Sequence, residues 1–240
     1  MNMTTHTAIH TNTAFNKNAI KQKTVSQHEL NNYVPKSVQI AKRAMDIGIA
    51  ATGLLACAVL LPLIALAIRI NSPGPVIFRQ LRIGHAEANF THLFWMYKFR
   101  TMRVDAEAGS GAVWATEGDP RVTHLGRFLR KTRLDELPQL FNVLRGDMSL
   151  IGPRPERPGF YQKLETAIPF FAERTFGLKP GITGLAQVNQ GYDRDIEDVR
   201  SKVGYDHAYA LSLSGFFNWL STDLRIMVQT VVVMVCGRGQ

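Results

Sequence analysis

A chain of 240 residues has room for one good-sized domain with additions. Lys and Arg outnumber Asp and Glu by 28 to 19, a net charge of +9 with a pI near 9.8. That balance implies an anionic partner: nucleic acid, a phospholipid surface or a phosphorylated substrate. The mean hydropathy of -0.06 conceals segregation between a polar N-terminus and one wholly apolar internal run. Two cysteines, Cys57 and Cys236, lie in apolar stretches, and neither they nor the seven histidines show metal-ligand spacing. Cofactor chemistry built on Cys or His is therefore not expected, and a reducing compartment is compatible.

Residues 1–36 are rich in Thr, Asn, Gln and Lys and lack the apolar core of a signal peptide, which predicts a disordered polar tail. From Ile47 to Ile68 there is no charge at all, a run long enough for a bilayer core. Pro62 interrupts it, and basic residues stand at both ends: Lys42 and Arg43 before, Arg69, Arg79 and Arg82 after. Both flanks then belong on the cytoplasmic side, which one crossing does not allow. A re-entrant membrane helix-break-helix over residues 37–70, bent at Pro62, meets both conditions. A plain span with Arg69 snorkelling and a buried soluble helix are the alternatives.

Residues 71–240 read as a cytoplasmic globular part, and the fold class is α+β, mainly helical, with a small β-sheet. After the turn Asn71-Ser72-Pro73-Gly74-Pro75, the Val76 segment and Leu93–Met102 read as its strands. In the second, Leu93, Trp95, Tyr97 and Phe99 point one way, Lys98 and Arg100 the other. Asp105–Asp119 is Gly- and acid-rich and reads as a mobile loop. Arg127, Arg130 and Arg133 recur every third residue, which on a helix lines one basic face. Pro138 fits only a first turn, so a helix runs from near Asp135 to Gly146. Its N-terminus suits a phosphate and keeps Asp135 ionised, a nucleophile or metal ligand. An N-cap aspartate beside a solvated basic face is the plainer alternative.

Gly152-Pro153-Arg154-Pro155-Glu156-Arg157-Pro158 is held extended, so Arg154 loses little entropy on gripping an anion. Residues 160–176 read as an amphipathic helix with Phe160, Leu164, Ile168 and Phe171 as its apolar side. Lys179–Gly184 reads as a tight turn, and helices are expected over Asp195–Leu211 and Phe216–Cys236. The last lies in the membrane interface with Phe216, Phe217 and Trp219, or is a packed terminal helix.

Four blocks in order carry a resemblance: Tyr97-Lys98-Phe99-Arg100-Thr101-Met102, Leu134-Asp135-Glu136-Leu137-Pro138-Gln139-Leu140, Gly146-Asp147-Met148-Ser149-Leu150-Ile151-Gly152-Pro153-Arg154-Pro155 and Lys179-Pro180-Gly181-Ile182-Thr183-Gly184-Leu185-Ala186-Gln187. Together they resemble the bacterial sugar transferases, monotopic polyprenyl-phosphate phosphoglycosyl transferases, in the short form. The resemblance implies transfer of a sugar 1-phosphate from a UDP-sugar to undecaprenyl phosphate, with release of UMP. This is the first membrane step of polysaccharide or glycoconjugate assembly, at the cytoplasmic face of the bacterial inner membrane. It implies Asp135 as the nucleophile forming a covalent aspartyl-phosphosugar intermediate, with Glu136 beside it in metal or proton handling. Mg²⁺ held by Asp135 and Glu136 is implied, as is Arg130 on the lipid phosphate. Arg154, between Pro153 and Pro155, is placed by the nucleotide. Lys98 and Arg100 bind phosphate or line the interface, with a solvated strand face as the alternative. No nucleic acid is expected, and a homodimer is left open.

Two departures mark this chain. Arg133 stands where the family commonly has Ser or Thr, and Leu61-Pro62 where its hairpin often has Ser-Pro. Two other functions remain to be separated by assay: a glycosyltransferase releasing UDP, and a non-enzymatic basic protein on the membrane surface. The sugar is not legible; Asn189-Gln190-Gly191-Tyr192-Asp193 is a candidate selector.

Overall fold

A computed structural model describes residues 33–87, 90–106, 118–190 and 195–235. Most of the N-terminal tail, most of the Asp105–Asp119 loop, Gly191 to Asp193 of the candidate selector and Cys236 lie outside the described residues. The chain is mainly helical with two small sheets.

Helices α1 (Lys36–Ala56) and α2 (Leu60–Asn71) meet at a 63° bend. No single described helix is long and apolar enough to cross a membrane; this bent pair passes only as a pair. The break falls at Cys57–Val59, a turn before the expected Pro62. A proline ring clashes with the carbonyl four residues back, here Ala58, so the helix is interrupted ahead of it. Pro62 then sits in the first turn of α2, where no N–H is needed.

Strands β1 (Ile77–Ala86) and β2 (Thr91–Phe99) form an antiparallel hairpin. Its alternation is as expected but the buried phase is reversed over most of β2. Phe94 and Met96 are buried, while Leu93 and Trp95 are about half exposed. The covered face packs on the main core, with Val143 and Met148. Lys98 and Arg100 share that inward face, so neither lies on a solvated one.

Helix α3 (His124–Lys131) starts at Thr123, whose Oγ accepts from the Gly126 N–H at 2.9 Å. It ends before Arg133, which adopts a left-handed φ of 58°. Arg133 is therefore off the helix, and the expected face of three arginines is broken. A 3₁₀ turn, Leu134–Glu136, carries the two acids, and α4 (Gln139–Arg145) begins only after Pro138 and stops at Gly146. The expected single helix is thus a turn and a helix. Its end is the one predicted.

Strand β3 (Ser149–Ile151) pairs in parallel with β4 (Gly181–Thr183), which the sequence presents as a turn. Glycine permits the close pairing: a Cβ on Gly181 would lie 2.2 Å from the Gly152 nitrogen. Helix α5 (Pro158–Ala167) is shorter than expected, and a second 3₁₀ turn covers Ala172–Thr175. Leu164, Ile168 and Phe171 still form one cluster, closed by Val199 and Val203 of α7 (Ile196–Ser212). Helices α6 (Leu185–Asn189) and α8 (Phe216–Val235) are the remaining helices of the described residues. Trp219 of α8 is buried in the main core, while Phe217 is 82% exposed, so only part of the expected aromatic group faces outward.

Candidate active site

Asp135 and Glu136 are held from both sides by leucines. Leu134 and Leu137 pack against a cluster containing Ile64 and Ile68 of α2, Phe99 and Leu129. The apolar anchors turn both acids into the protein: Asp135 is 6% and Glu136 8% exposed. The acids therefore lie beside the second helix of the bent apolar pair.

Their electrostatics differ. Glu136 Oε1 accepts from Lys98 Nζ at 2.9 Å, and Arg133 Nη1 lies 3.8 Å from the same oxygen. Burial alone would raise the Glu136 pKa, but Lys98, Arg154 and Arg133 outweigh it and bring it down to about 2. For Asp135 the balance reverses. Burial pushes its pKa up to about 6 against the pull of Lys98, with Glu136 adding like charge and Arg130 and Arg133 opposing. Asp135 Oδ1 is buried with no hydrogen-bond partner. In a native interior an orphaned carboxylate oxygen needs a reason, and a ligand atom supplies one.

A small, shallow cleft opens alongside, lined by Arg82, Met96, Lys98, Gln139, Arg154, Pro155 and Gly181. The structure thus brings Lys98, Arg154 and Pro155 together beside the acid pair. Arg130 is close enough for its charge to act on Asp135, and its Nε donates to Thr101 Oγ1 at 3.0 Å. Arg100 is committed elsewhere: its guanidinium donates to the carbonyls of Ser72 and Pro73 at 2.7 and 2.6 Å. It fixes the turn after α2 instead of holding a phosphate. Pro153 is likewise structural, its carbonyl accepting from the Gly181 N–H at 2.9 Å.

Sequence reasoning missed Arg82 and Gln139. Arg82 opposes Phe94 in the hairpin register, so it shares the inward face of Met96 and Lys98. It donates to the Pro155 carbonyl at 2.9 Å and ties β1 to the proline segment. Burial, with Arg154 nearby, lowers its pKa to about 10, so it stays charged. Gln139 follows Pro138 directly, and its buried Nε2 has no partner. The phase of β2 was the available signal for Arg82; the Leu-Pro-Gln block was the signal for Gln139. Reversed burial obscured the first.

The arrangement suits an anionic, phosphorylated ligand: fixed cations surround an acid whose oxygen is free to bond. Comparison with known proteins agrees. The family model described as bacterial sugar transferase matches residues 37–237. The UDP-N-acetylgalactosamine-undecaprenyl-phosphate N-acetylgalactosaminephosphotransferase of Aeromonas hydrophila is 41% identical over 89% of this chain and 48% of its own length. The UDP-glucose:undecaprenyl-phosphate glucose-1-phosphate transferase of Caulobacter vibrioides is 43% identical over 81% of this chain and 70% of its own. The galactosyl transferase CpsE of Streptococcus agalactiae is 39% identical over 83% and 43%. The chain spans about half the length of the first of these relatives. The chain belongs to the bacterial sugar transferase family.

Proposed function

We propose that this chain transfers a sugar 1-phosphate from a UDP-sugar to undecaprenyl phosphate, releasing UMP, by way of Asp135. The observation that carries the reading is the buried Asp135 with an unpartnered Oδ1, next to a Lys98-bound Glu136 and ringed by arginines. Lys98, Arg82 and Arg154 bind and orient the diphosphate in the cleft. The Asp135 carboxylate attacks the sugar-proximal phosphorus, the bond to the UMP oxygen breaks, and UMP leaves with the electron pair. An oxygen of the lipid phosphate then attacks the same phosphorus, and Asp135 departs as carboxylate. Two displacements suit one water-soluble and one membrane-bound substrate, which need not share the site. Glu136 keeps Lys98 in place beneath the diphosphate, and Arg130 is assigned the lipid phosphate.

Asp135, whose Oδ1 has no partner, and Glu136, whose Oε1 is engaged by Lys98, are the residues that would hold Mg²⁺. When bound, it supplies positive charge that offsets repulsion between the diphosphate and a carboxylate. The bent pair α1–α2 is assigned as re-entrant at the cytoplasmic face of the bacterial inner membrane. Exposed Leu55, Val59, Leu63, Leu66 and Ile70 support that assignment. Leu134 and Leu137, packed on α2, then set the nucleophile at the lipid boundary. The relatives are named for N-acetylgalactosamine, glucose and galactose, so the sugar is left to a screen.

The test is a UMP-release screen of the full chain with undecaprenyl phosphate across UDP-sugars. With the lipid omitted, radiolabelled sugar is expected to stay on the wild-type protein and not on Asp135→Asn. Turnover of that variant should fall by about 10⁴-fold or more, the scale for losing a nucleophile. Full activity in Asp135→Asn, or release of UDP in place of UMP, rejects the assignment.

A further inference from the structure

The end of the β1–β2 hairpin carries a second group of ligating side chains, remote from the acids. His92 is six residues from Lys98 along β2, about 20 Å at strand rise. There His85 Nε2 lies 3.2 Å and His92 Nε2 3.1 Å from the same oxygen, Glu87 Oε1. All three candidate ligand atoms fall within 4.8 Å of one another. The sequence spacing 85, 87, 92 matches no metal motif, which is why composition and spacing gave no hint of it.

The strand register assembles the group. From Ile77↔Phe99 to Ile83↔Leu93 the hairpin keeps one register, then shifts before Ala86↔Thr91. Gly84 and His85 together face the single His92, a bulge on β1. Without the shift His85 would oppose Thr91; with it, the two imidazoles stand across from each other. Their rings stack at 3.9 Å between centroids, inclined by 22°. Gly84 makes room: a Cβ there would sit 3.0 Å from the His92 carbonyl oxygen and 3.4 Å from its Cβ. Glu87 follows on the same face as His85, and its N–H donates to the Phe90 carbonyl at 2.8 Å, closing the hairpin end.

The geometry points to a binding site for a borderline divalent transition-metal ion, of the zinc class, made by His85, His92 and Glu87. Two imidazole nitrogens and one carboxylate oxygen suit Zn²⁺, Co²⁺ or Ni²⁺, and not Mg²⁺ or Ca²⁺, which take oxygen ligands. With metal–ligand bonds near 2.0–2.1 Å, tetrahedral ligands stand about 3.4 Å apart, close to the 3.1 and 3.2 Å found here. Neutral imidazole is the ligating form. Three protein ligands leave a fourth position for water or for a group from elsewhere. A bound ion would clamp β1 to β2 across the bulge, where the ladder is interrupted.

The experiment uses the full chain in detergent, stripped with chelator, dialysed, and kept in excess Mg²⁺. It is titrated with Zn²⁺ and, separately, Co²⁺. Wild type is expected to bind one more equivalent than the double variant His85→Ala/His92→Ala, with an intense tetrahedral Co²⁺ absorption that the variant lacks. Glu87→Gln is expected to weaken that site by at least about 10-fold, since losing a ligand costs no less than losing a group that orients one. Retained UMP release identifies a folded double variant. X-ray absorption of zinc-loaded wild type needs no variant and should contain two imidazoles in one metal shell. Equal stoichiometry in wild type and a folded double variant, or a shell without paired imidazoles, overturns the site.

Discussion

Lys98 touches one acid and acts on both, and the two respond in opposite senses. It holds Glu136 ionised at short range, while the Asp135 pKa is raised to about 6 by burial in spite of it. The proposed nucleophile is the carboxylate, so turnover should fall as pH drops through about 6, where Asp135 gains its proton. An ordinary aspartate would hold its activity down to about pH 4. Lys98→Met removes a charge that favours the Asp135 carboxylate, so the acid limb should move to higher pH. The same change leaves Glu136 buried without its ammonium, at a cost of about 3–5 kcal/mol. Rates from pH 5 to 8, with melting curves, check both effects; an unmoved limb in a folded variant contradicts the assignment. At this scale Asp135, Glu136 and Arg154 were legible because a motif carried them. Lys98 and Arg100 were not separable by sequence. Both point inward, and only their partners distinguish an acid from two backbone carbonyls.

Elements were legible where periodicity runs long and obscure where geometry depends on a distant neighbour. Helices α7 and α8 follow their patterns, the hairpin keeps its alternation with the buried phase of β2 mostly reversed, and Gly146 ends α4 with a positive φ as a C-terminal glycine does. Strand β4 has three residues, begins on glycine and exists only because β3 lies beside it, so no local pattern announces it. Gly181→Ala tests that dependence. Its new methyl would meet the Gly152 nitrogen at 2.2 Å and the Thr183 carbonyl at 2.3 Å, both backbone atoms that cannot swing aside. The β3–β4 pair should part, lowering the melting temperature and weakening UDP-sugar binding in the cleft that Gly181 lines. Gly204→Ala gives the contrast. Gly204 is an exposed interior position of α7 with nothing within 4 Å of a new methyl, so alanine should stabilise by about 0.5–1 kcal/mol. Equal melting temperatures for the two variants would contradict the close approach.

Across the whole molecule, the apolar run was plain in the sequence, but the work of the helix leading into it was not. The first half of α1 is built into the globular core. Val38 is fully buried, Arg43 donates to the Val143 and Leu144 carbonyls, and Asp46 accepts from Ser149 and the Leu150 N–H. Lys42 reaches Asp223 of α8 at 2.9 Å, across 181 residues of sequence. Asp223 is 0% exposed and also accepts from Trp219 Nε1 at 2.8 Å and Tyr209 Oη at 2.9 Å. One carboxylate therefore joins the apolar pair's leading helix, α7 and α8. No local pattern in the sequence joins those positions. Asp223→Ala strands a largely buried ammonium and the buried Trp219 indole N–H, while the Tyr209 hydroxyl keeps the Ile151 carbonyl at 3.2 Å, a loss of about 3–5 kcal/mol. For a chain of this size that corresponds to a fall of roughly 10 °C in melting temperature. Asp223→Asn keeps one oxygen acceptor, loses the ion pair with Lys42, and should fall between. Thermal unfolding in detergent should give wild type, asparagine and alanine in descending order. Alanine melting with wild type would mean that the Asp223 carboxylate contributes nothing to holding α1 in place.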